Sequence, residues 1–277
     1  MATWETKRQR HHHFVLVHGM CHGGWCWYKA ATALRRAGHR ATALDMAGCG
    51  RHPARLADVR TFEEYSRPLL DAVAALPAGE RAVLVAHSHG GYSVALAVER
   101  FPDKVAAAVF VAASMPALGR PMAATSDELL AYVGPGFFMD SKEFEQENPE
   151  IKGKPFIFGP NFMAQRLYHL SPAEDLTLGI MLIRPANAFT TGNPDEAVMR
   201  DAKLLTEDGY GSARRVFVVV EEDQGIPAEF QRHMVAQSPG VEVGEITGAD
   251  HMVMLSRPVE LVDLLIRIAD KHNSSNR

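Results

Sequence analysis

Ser88 stands in Ala86-His87-Ser88-His89-Gly90-Gly91, between an apolar run and a stretch with helical spacing. A serine at a sharp strand-to-helix turn is lifted above the sheet edge, where its hydroxyl can act as a nucleophile. Small residues at 86 and 90 let such a turn close. The N-terminus of the following helix favours developing negative charge. The usual pattern begins with glycine, and Ala86 departs from it by one methyl. The hexapeptide fits an ordinary turn with a solvent-facing serine equally well, and taken alone it does not separate the two.

A nucleophilic serine needs an oxyanion hole, a base and an acid. His18-Gly19-Met20 follows the first apolar run. A loop there can offer the backbone N–H of Met20 to an oxyanion, with the N–H of His89, after the serine, as the second donor. Glu221, Glu222 and Asp223 end the strongest late apolar run, and His251 follows the next one. The histidine would take the serine proton and return it to the leaving group. The acid would hold its tautomer. Any one of thirteen histidines is more often structural than catalytic. His251 is singled out by the joint order of elbow, oxyanion loop, acid and base. Asp250 adjoins it, but neighbouring side chains diverge.

His18, His22, His87 and His89 could be read as metal ligands, but no carboxylate joins them at ligand spacing. Cys21 and Cys26 fit no zinc pattern, and three cysteines in all read as reduced thiols. No metal and no cofactor is expected.

These residues need a scaffold. Short apolar runs begin at Phe14, Arg40, Ala82, Val105, Arg215 and Val241, and helical stretches alternate with them. The rhythm predicts an α/β fold, a mostly parallel sheet covered by helices on both faces. It fails between 115 and about 200. That stretch holds six of twelve Met and seven of thirteen Phe, with many Pro and Gly and no clear strand. It is expected to be a helical cap, with Met and Phe serving its own core and the wall of a pocket. The expected organisation is a disordered polar tail over 1–13, ending in His11, His12 and His13, core over 14–114, cap over 115–200, and core again over 201–277.

The chain has 277 residues, 47% apolar and 22% charged, with 29 Lys and Arg against 33 Asp and Glu. Those are ordinary globular values, and they exclude collagen, coiled coil and general disorder. A net charge of -4 provides no basic footprint for nucleic acid and no polybasic membrane anchor. There is no signal-peptide apolar core and no 18-residue apolar run, so the expectation is a cytoplasmic protein.

Several segments resemble one family closely. These are Phe14-Val-Leu-Val-His-Gly-Met-Cys-His-Gly-Gly-Trp-Cys-Trp-Tyr28, Gly38-His-Arg-Ala-Thr-Ala-Leu-Asp45, Ser171-Pro-Ala-Glu-Asp-Leu176, Asp223-Gln-Gly-Ile-Pro227 with Glu229-Phe-Gln231, and Gly248-Ala-Asp-His-Met252. Together they are similar to the plant methylesterase and hydroxynitrile lyase family of α/β-hydrolases, from about Phe14 to the C-terminus. The resemblance implies an α/β-hydrolase fold with a cap insert and no cofactor. It implies Ser88 as nucleophile, Asp223 as acid and His251 as base. It further implies a cytosolic protein, often a homodimer, acting on a small-molecule ester. Esterase members of the family hydrolyse methyl salicylate, methyl jasmonate and methyl indole-acetate.

Two substrate-side positions bear on the branch. The lyases are known for Thr where this chain has Gly19, and for Lys after the histidine, where this chain has Met252. A lysine ammonium stabilises departing cyanide, and a thioether cannot. The expected function is therefore a serine carboxylesterase acting on small, methyl-type esters of hormone-like acids through an acyl-enzyme. A hydroxynitrile lyase and a hormone receptor built on the same fold are the alternatives. His89 replaces a leucine common in the esterases and puts the pocket's shape in question.

Overall fold

The computed structural model describes residues 11–146, 150–151, 154–189 and 196–272. Six strands form one parallel sheet: β1 His13–Val17, β2 Arg40–Leu44, β3 Ala82–His87, β4 Val105–Val111, β8 Arg215–Val220 and β9 Glu242–Ile246. Their order is β2-β1-β3-β4-β8-β9. Every residue of β1, β3, β4 and β8 is buried. This is why those segments read as continuous apolar runs rather than alternating ones: helices cover both faces. Each fully buried Val, Leu or Phe of these strands stabilises the fold by about 1.5–3 kcal/mol. At the edge, β9 alternates between exposed and half-buried positions before Ile246.

Helices Tyr28–Arg36, Phe62–Ala74, Gly90–Arg100, Ala228–Ala236 and Pro258–His272 pack on the sheet. Phe62–Ala74 starts at Thr61, whose hydroxyl accepts the N–H of Glu64 at 3.1 Å, and so satisfies one of the free N–H groups of the first turn.

The register positions the loops that matter. Val17 of β1 pairs with Ala86 of β3, so His18-Gly19 leaves the sheet beside His87-Ser88. The strand order reverses about β1, where loops diverge and open a crevice at the carboxyl ends. On the other side of β4, Val220 pairs with Ile246, so the loop of Asp223 leaves beside the loop of His251.

The segment expected to be purely helical is not. It carries the helices Ala124–Val133, Ala173–Leu182 and Ala197–Arg200, and a π-helical turn at Met163–Leu167. It also carries a three-stranded antiparallel sheet of β5 Lys142–Glu143, β6 Lys154–Ile157 and β7 Ala186–Ala188, ordered β5-β6-β7. Strands of two to four residues are too short to show a period-2 pattern. The pairing of Lys154 with Ala188 joins residues far apart in the chain.

The histidine run is a second correction. Residues 1–10 of the expected tail lie outside the described residues, but His12 and His13 are buried and His13 opens β1. The N–H of Arg40 donates to the His12 carbonyl, extending the pairing with β2 by one residue. The imidazoles then behave as packed rings. His12 stacks on His39 at 5.3 Å and reaches Asp270 at 2.8 Å, while His13 bonds Thr42.

Candidate active site

Ser88 follows β3 with φ 54°, in the left-handed region that a residue with a side chain adopts at a cost. The backbone is held there from two sides: the Ser88 carbonyl accepts the N–H of Gly91 at 3.1 Å and of Ser114 at 3.0 Å. Ser114 belongs to the stretch after β4, so the next strand's exit braces the turn.

The His18-Gly19-Met20 loop is built by its first residue. His18 is fully buried, accepts the N–H of Met46 on Nε2 at 3.0 Å, and donates from Nδ1 to the Gly19 carbonyl at 2.7 Å. Burial pulls its pKa down, so the ring stays neutral, as that bonding pattern requires. A trans peptide carries its C=O and N–H on opposite sides. Fixing the Gly19 carbonyl on His18 therefore aims the Met20 N–H away from the core. Among the described residues, no protein acceptor is bonded to the N–H of Met20 or of His89. The turn is finished by Cys21, also left-handed at φ 63°. His22 donates from Nδ1 to the Met20 carbonyl at 2.9 Å and accepts the Tyr168 hydroxyl at 2.7 Å.

His251 and Asp223 are both buried, with Nδ1 of His251 2.8 Å from Oδ2 of Asp223. The carboxylate is held on every side. Oδ1 accepts the N–H groups of Gly225 at 2.7 Å and Ile226 at 2.9 Å, and Oδ2 also accepts Gln231 Nε2 at 3.1 Å. Gln231 in turn bonds the backbone of Val220 and Ile226. A β-carbon on Gly225 would come 3.0 Å from His251 Cγ, so a side chain here would press on the imidazole.

The other acids of these loops do different work. Glu221 pairs with Arg232. Glu222 accepts the N–H groups of Gly248 at 2.7 Å and Ala249 at 3.3 Å, and so holds the loop that carries His251. Asp250, fully buried, bonds Leu170 N, Ser171 Oγ and Met252 N, and points away from Nδ1 of His251. The bracing roles of Gln231 and Glu222 were not visible in the sequence, because each acts on backbone groups brought close only by the fold.

A cavity of about 350 Å³ opens over these residues. Ser88, His251, Met20 and His89 line it, with Phe137, Phe138, Phe156, Phe158 and Phe162 among the apolar wall. The aromatic rings pack on one another, Phe158 stacking on Phe162 at 5.2 Å. The phenylalanines thus serve both core and pocket. The methionines of that segment do not line it: Met122, Met163 and Met199 are fully buried.

The two substrate-side positions fall elsewhere. Met252 is fully buried in the core under the histidine loop, and neither it nor Gly19 lines the cavity. Gly19 instead presses on Ser88 from behind. Met252 was expected at the substrate because it stands where the lyases carry their lysine, but its N–H is turned to Asp250 and the Leu167 carbonyl, and its side chain goes inward.

His87 donates from Nε2 to the His251 carbonyl at 2.8 Å, and burial holds its pKa well below the usual value. His22 is lowered to about 3 by burial and His89 to about 4. Neutral rings packed this way are structural. Among the described residues no cluster of three or more His, Cys, Asp or Glu is arranged to hold a metal, and no helix is long and apolar enough to cross a membrane. Cys21, Cys26 and Cys49 are free thiols, buried, with their pKa values raised by that burial.

Residues 14–264 match the alpha/beta hydrolase family. Esterase PIR7B of Oryza sativa subsp. japonica is 58% identical over 262 residues, covering 94% of this chain and 96% of that protein. Methyl jasmonate esterase 1 of Vitis vinifera is 41% identical, over 96% of this chain and 99% of that protein. Among solved structures, polyneuridine aldehyde esterase superposes with a TM-score of 0.89 at 38% identity, covering 94% of this chain and 100% of that one. The chain therefore belongs to the alpha/beta hydrolase family and, within it, to the plant esterases and methylesterases.

Proposed function

We propose that this ester hydrolase cleaves small methyl esters of largely apolar carboxylic acids through an acyl-enzyme. One observation carries the reading: Ser88, on its strained turn, and His251, paired with Asp223, line one largely apolar cavity. Ser88 Oγ attacks the ester carbonyl while His251 Nε2 takes its proton. The N–H groups of Met20 and His89 hold the oxyanion, and Asp223 holds the imidazolium. His251 then protonates the departing methoxide. Water, activated by the same imidazole, releases the acid. The cavity volume lies at the small end of ligand sites, which suits a compact acid. The likeness to a methyl jasmonate esterase supports a methyl leaving group.

The test is a panel of methyl esters of plant-hormone acids, with Ser88→Ala as the blank. Ser88→Ala should fold normally and lose several orders of magnitude in kcat. A Ser88→Ala rate close to that of the unsubstituted chain would end this reading.

A further inference from the structure

The loop that carries the Met20 N–H is fixed on both sides of Met20. On one side His18 bonds the Gly19 carbonyl, and so the peptide to which that N–H belongs. On the other, His22 Nδ1 donates to the Met20 carbonyl at 2.9 Å. A bonded peptide plane on each side leaves Met20 little freedom in its own two dihedrals. The turn needs such holding, because Cys21, between Met20 and His22, is left-handed at φ 63°.

The His22 bond depends on a residue far along the chain. A ring nitrogen that bonds a carbonyl carries the proton, and a neutral imidazole has only one. Burial keeps His22 neutral, with its pKa lowered to about 3. Nε2 is therefore a bare acceptor, and it takes the hydroxyl proton of Tyr168 at 2.7 Å. The bonds run one way, from the Tyr168 hydroxyl to Nε2 and from Nδ1–H to the Met20 carbonyl. The two rings lie within 16° of one plane, and Trp25 stacks on His22 at 5.3 Å.

Tyr168 is in turn held firmly by the segment between β4 and β8. It is buried, and its N–H closes the π-helical turn on the Met163 carbonyl at 2.8 Å. Such a turn holds an extra residue, which re-aims the side chains after it. A β-carbon on Gly179 would come 2.7 Å from the Tyr168 hydroxyl, so the helix Ala173–Leu182 backs the phenol directly. The neighbours of Tyr168 hold the other catalytic loop: the Leu167 carbonyl accepts Met252 N, and Leu170 N and Ser171 Oγ bond Asp250. Neither His22 nor Tyr168 lines the cavity, so neither meets the substrate.

We propose that Tyr168 is a positioning residue for ester hydrolysis: through His22 it holds Met20 at the angle from which its N–H meets the oxyanion. This rests on the esterase reading of the site and deepens it by adding a residue that acts on the oxyanion loop from outside the cavity.

The test separates oxyanion binding from substrate binding. With 1,1,1-trifluoro-2-nonanone, Ser88 Oγ bonds the carbonyl carbon, the carbonyl π pair moves to oxygen, and the serine proton passes to His251. Affinity for this ketone therefore reports the oxyanion site. Methyl octanoate reports kcat and KM. The Cys21 carbonyl accepts Arg184 N at 3.0 Å, so the turn keeps its general shape when the Tyr168 bond is cut. Tyr168→Phe should lower kcat roughly tenfold and weaken the ketone by a like factor, less than the about 10²–10³ lost with a whole oxyanion donor. KM should stay within about twofold. His22→Phe keeps a ring but has no nitrogen, and it should lose at least as much. Adding Tyr168→Phe to it should cost less than about twofold more, because the hydroxyl then has nothing to act through. Unchanged ketone affinity in either single variant, a KM that rises as much as kcat falls, or losses that multiply in the double variant would overturn the role. Ser88→Ala is the control. If it is inactive while Tyr168→Phe is fully active, the esterase reading stands and Tyr168 alone loses its role. If Ser88→Ala cleaves methyl octanoate as fast as the unsubstituted chain, or if that chain neither cleaves the ester nor binds the ketone, both fail together.

Discussion

Gly19 lies so close to Ser88 that a β-carbon on residue 19 would come 2.7 Å from Ser88 Cβ and 3.2 Å from Ser88 Oγ. The contact follows from the register of β1 on β3, which sets the exits of the two strands side by side. It joins the loop that offers the Met20 N–H to the turn that carries the proposed nucleophile.

Gly19→Ala must therefore push one of them aside. A displacement of about 1 Å at a reacting group costs on the order of a hundredfold in rate. We expect Gly19→Ala to lower kcat on a methyl ester by roughly ten- to a hundredfold. The strands remain intact, so the melting temperature should move little. An alanine variant with an undiminished kcat would show that the loop yields freely and that the contact sets nothing.

Much of this arrangement is legible in residue order. β1, β3, β4 and β8 are continuous apolar runs because both faces are covered, so they stand out without any alternation. Arg40–Leu44 and Arg215–Val220 coincide with their expected limits. The four loops also announce themselves, because each follows an apolar run directly. What is not legible depends on partners distant in sequence. β5, β6 and β7 are too short to have a pattern of their own. His12 and His13 look like solvated charge, but the pairing of Arg40 with residues 12 and 13 buries them. Met252 looks like a pocket residue because the lyases carry a lysine at its position, whereas the turn at Asp250 directs it into the core.

Acid should destabilise the fold before it titrates surface carboxylates. His22 and His89 have folded pKa values lowered to about 3 and about 4 by burial, against about 6.5 when unfolded. A depressed histidine means that the unfolded chain binds the extra proton first. Stability is then full above about pH 6.5 and falls as pH drops through the window between the two pKa values. At pH 5 each such ring costs about 2 kcal/mol relative to neutrality. His87, lowered in the same direction, adds to the slope. Urea unfolding at pH 7.5, 6 and 5 should show this decline, and His22→Gln should flatten it. Unfolding free energy that is level from pH 7.5 to 5 would contradict the neutral assignment of these rings.

Cyanohydrins should not be cleaved to any useful extent. A lyase must stabilise departing cyanide, and no lysine or arginine lines the cavity among the described residues. The residue after His251, the fully buried Met252, supplies no charge. With mandelonitrile, cyanide release by the chain should match that of Ser88→Ala. Release well above that blank would place the chemistry in the lyase branch.

Asp223 and Asp250 are both buried, both within the loops that surround His251, and their substitution by asparagine should have opposite signatures. In Asp223→Asn the two backbone donors, Gly225 N and Ile226 N, hold the amide oxygen where Oδ1 now sits. The amide NH2 then takes the place of Oδ2 and faces Nδ1 of His251 and the NH2 of Gln231. An NH2 group there can only donate, so it makes Nδ1 the acceptor and drives the imidazole proton to Nε2. That tautomer cannot receive the proton of Ser88. Such a change leaves geometry intact while costing up to about 10⁴ in kcat. We expect a loss of at least roughly a hundredfold, with a smaller loss of stability than in Asp250→Asn, because Gln231 keeps its bonds to the Val220 and Ile226 carbonyls. Asp250→Asn meets a different set of partners. Oδ2 accepts Leu170 N at 2.8 Å, while Oδ1 accepts Ser171 Oγ and Met252 N, both at 3.1 Å. Whichever way the amide turns, its NH2 confronts at least one backbone N–H, leaving a buried donor unpaired at about 1–3 kcal/mol. The damage should therefore appear as lost stability and a loosened junction between the 170–171 segment and the histidine loop. At temperatures where the variant is folded, kcat should fall far less than in Asp223→Asn. Paired measurements of kcat and melting temperature on the two variants separate these roles. If Asp250→Asn proves the slower enzyme and Asp223→Asn the less stable protein, the assignment of the acid to Asp223 is wrong.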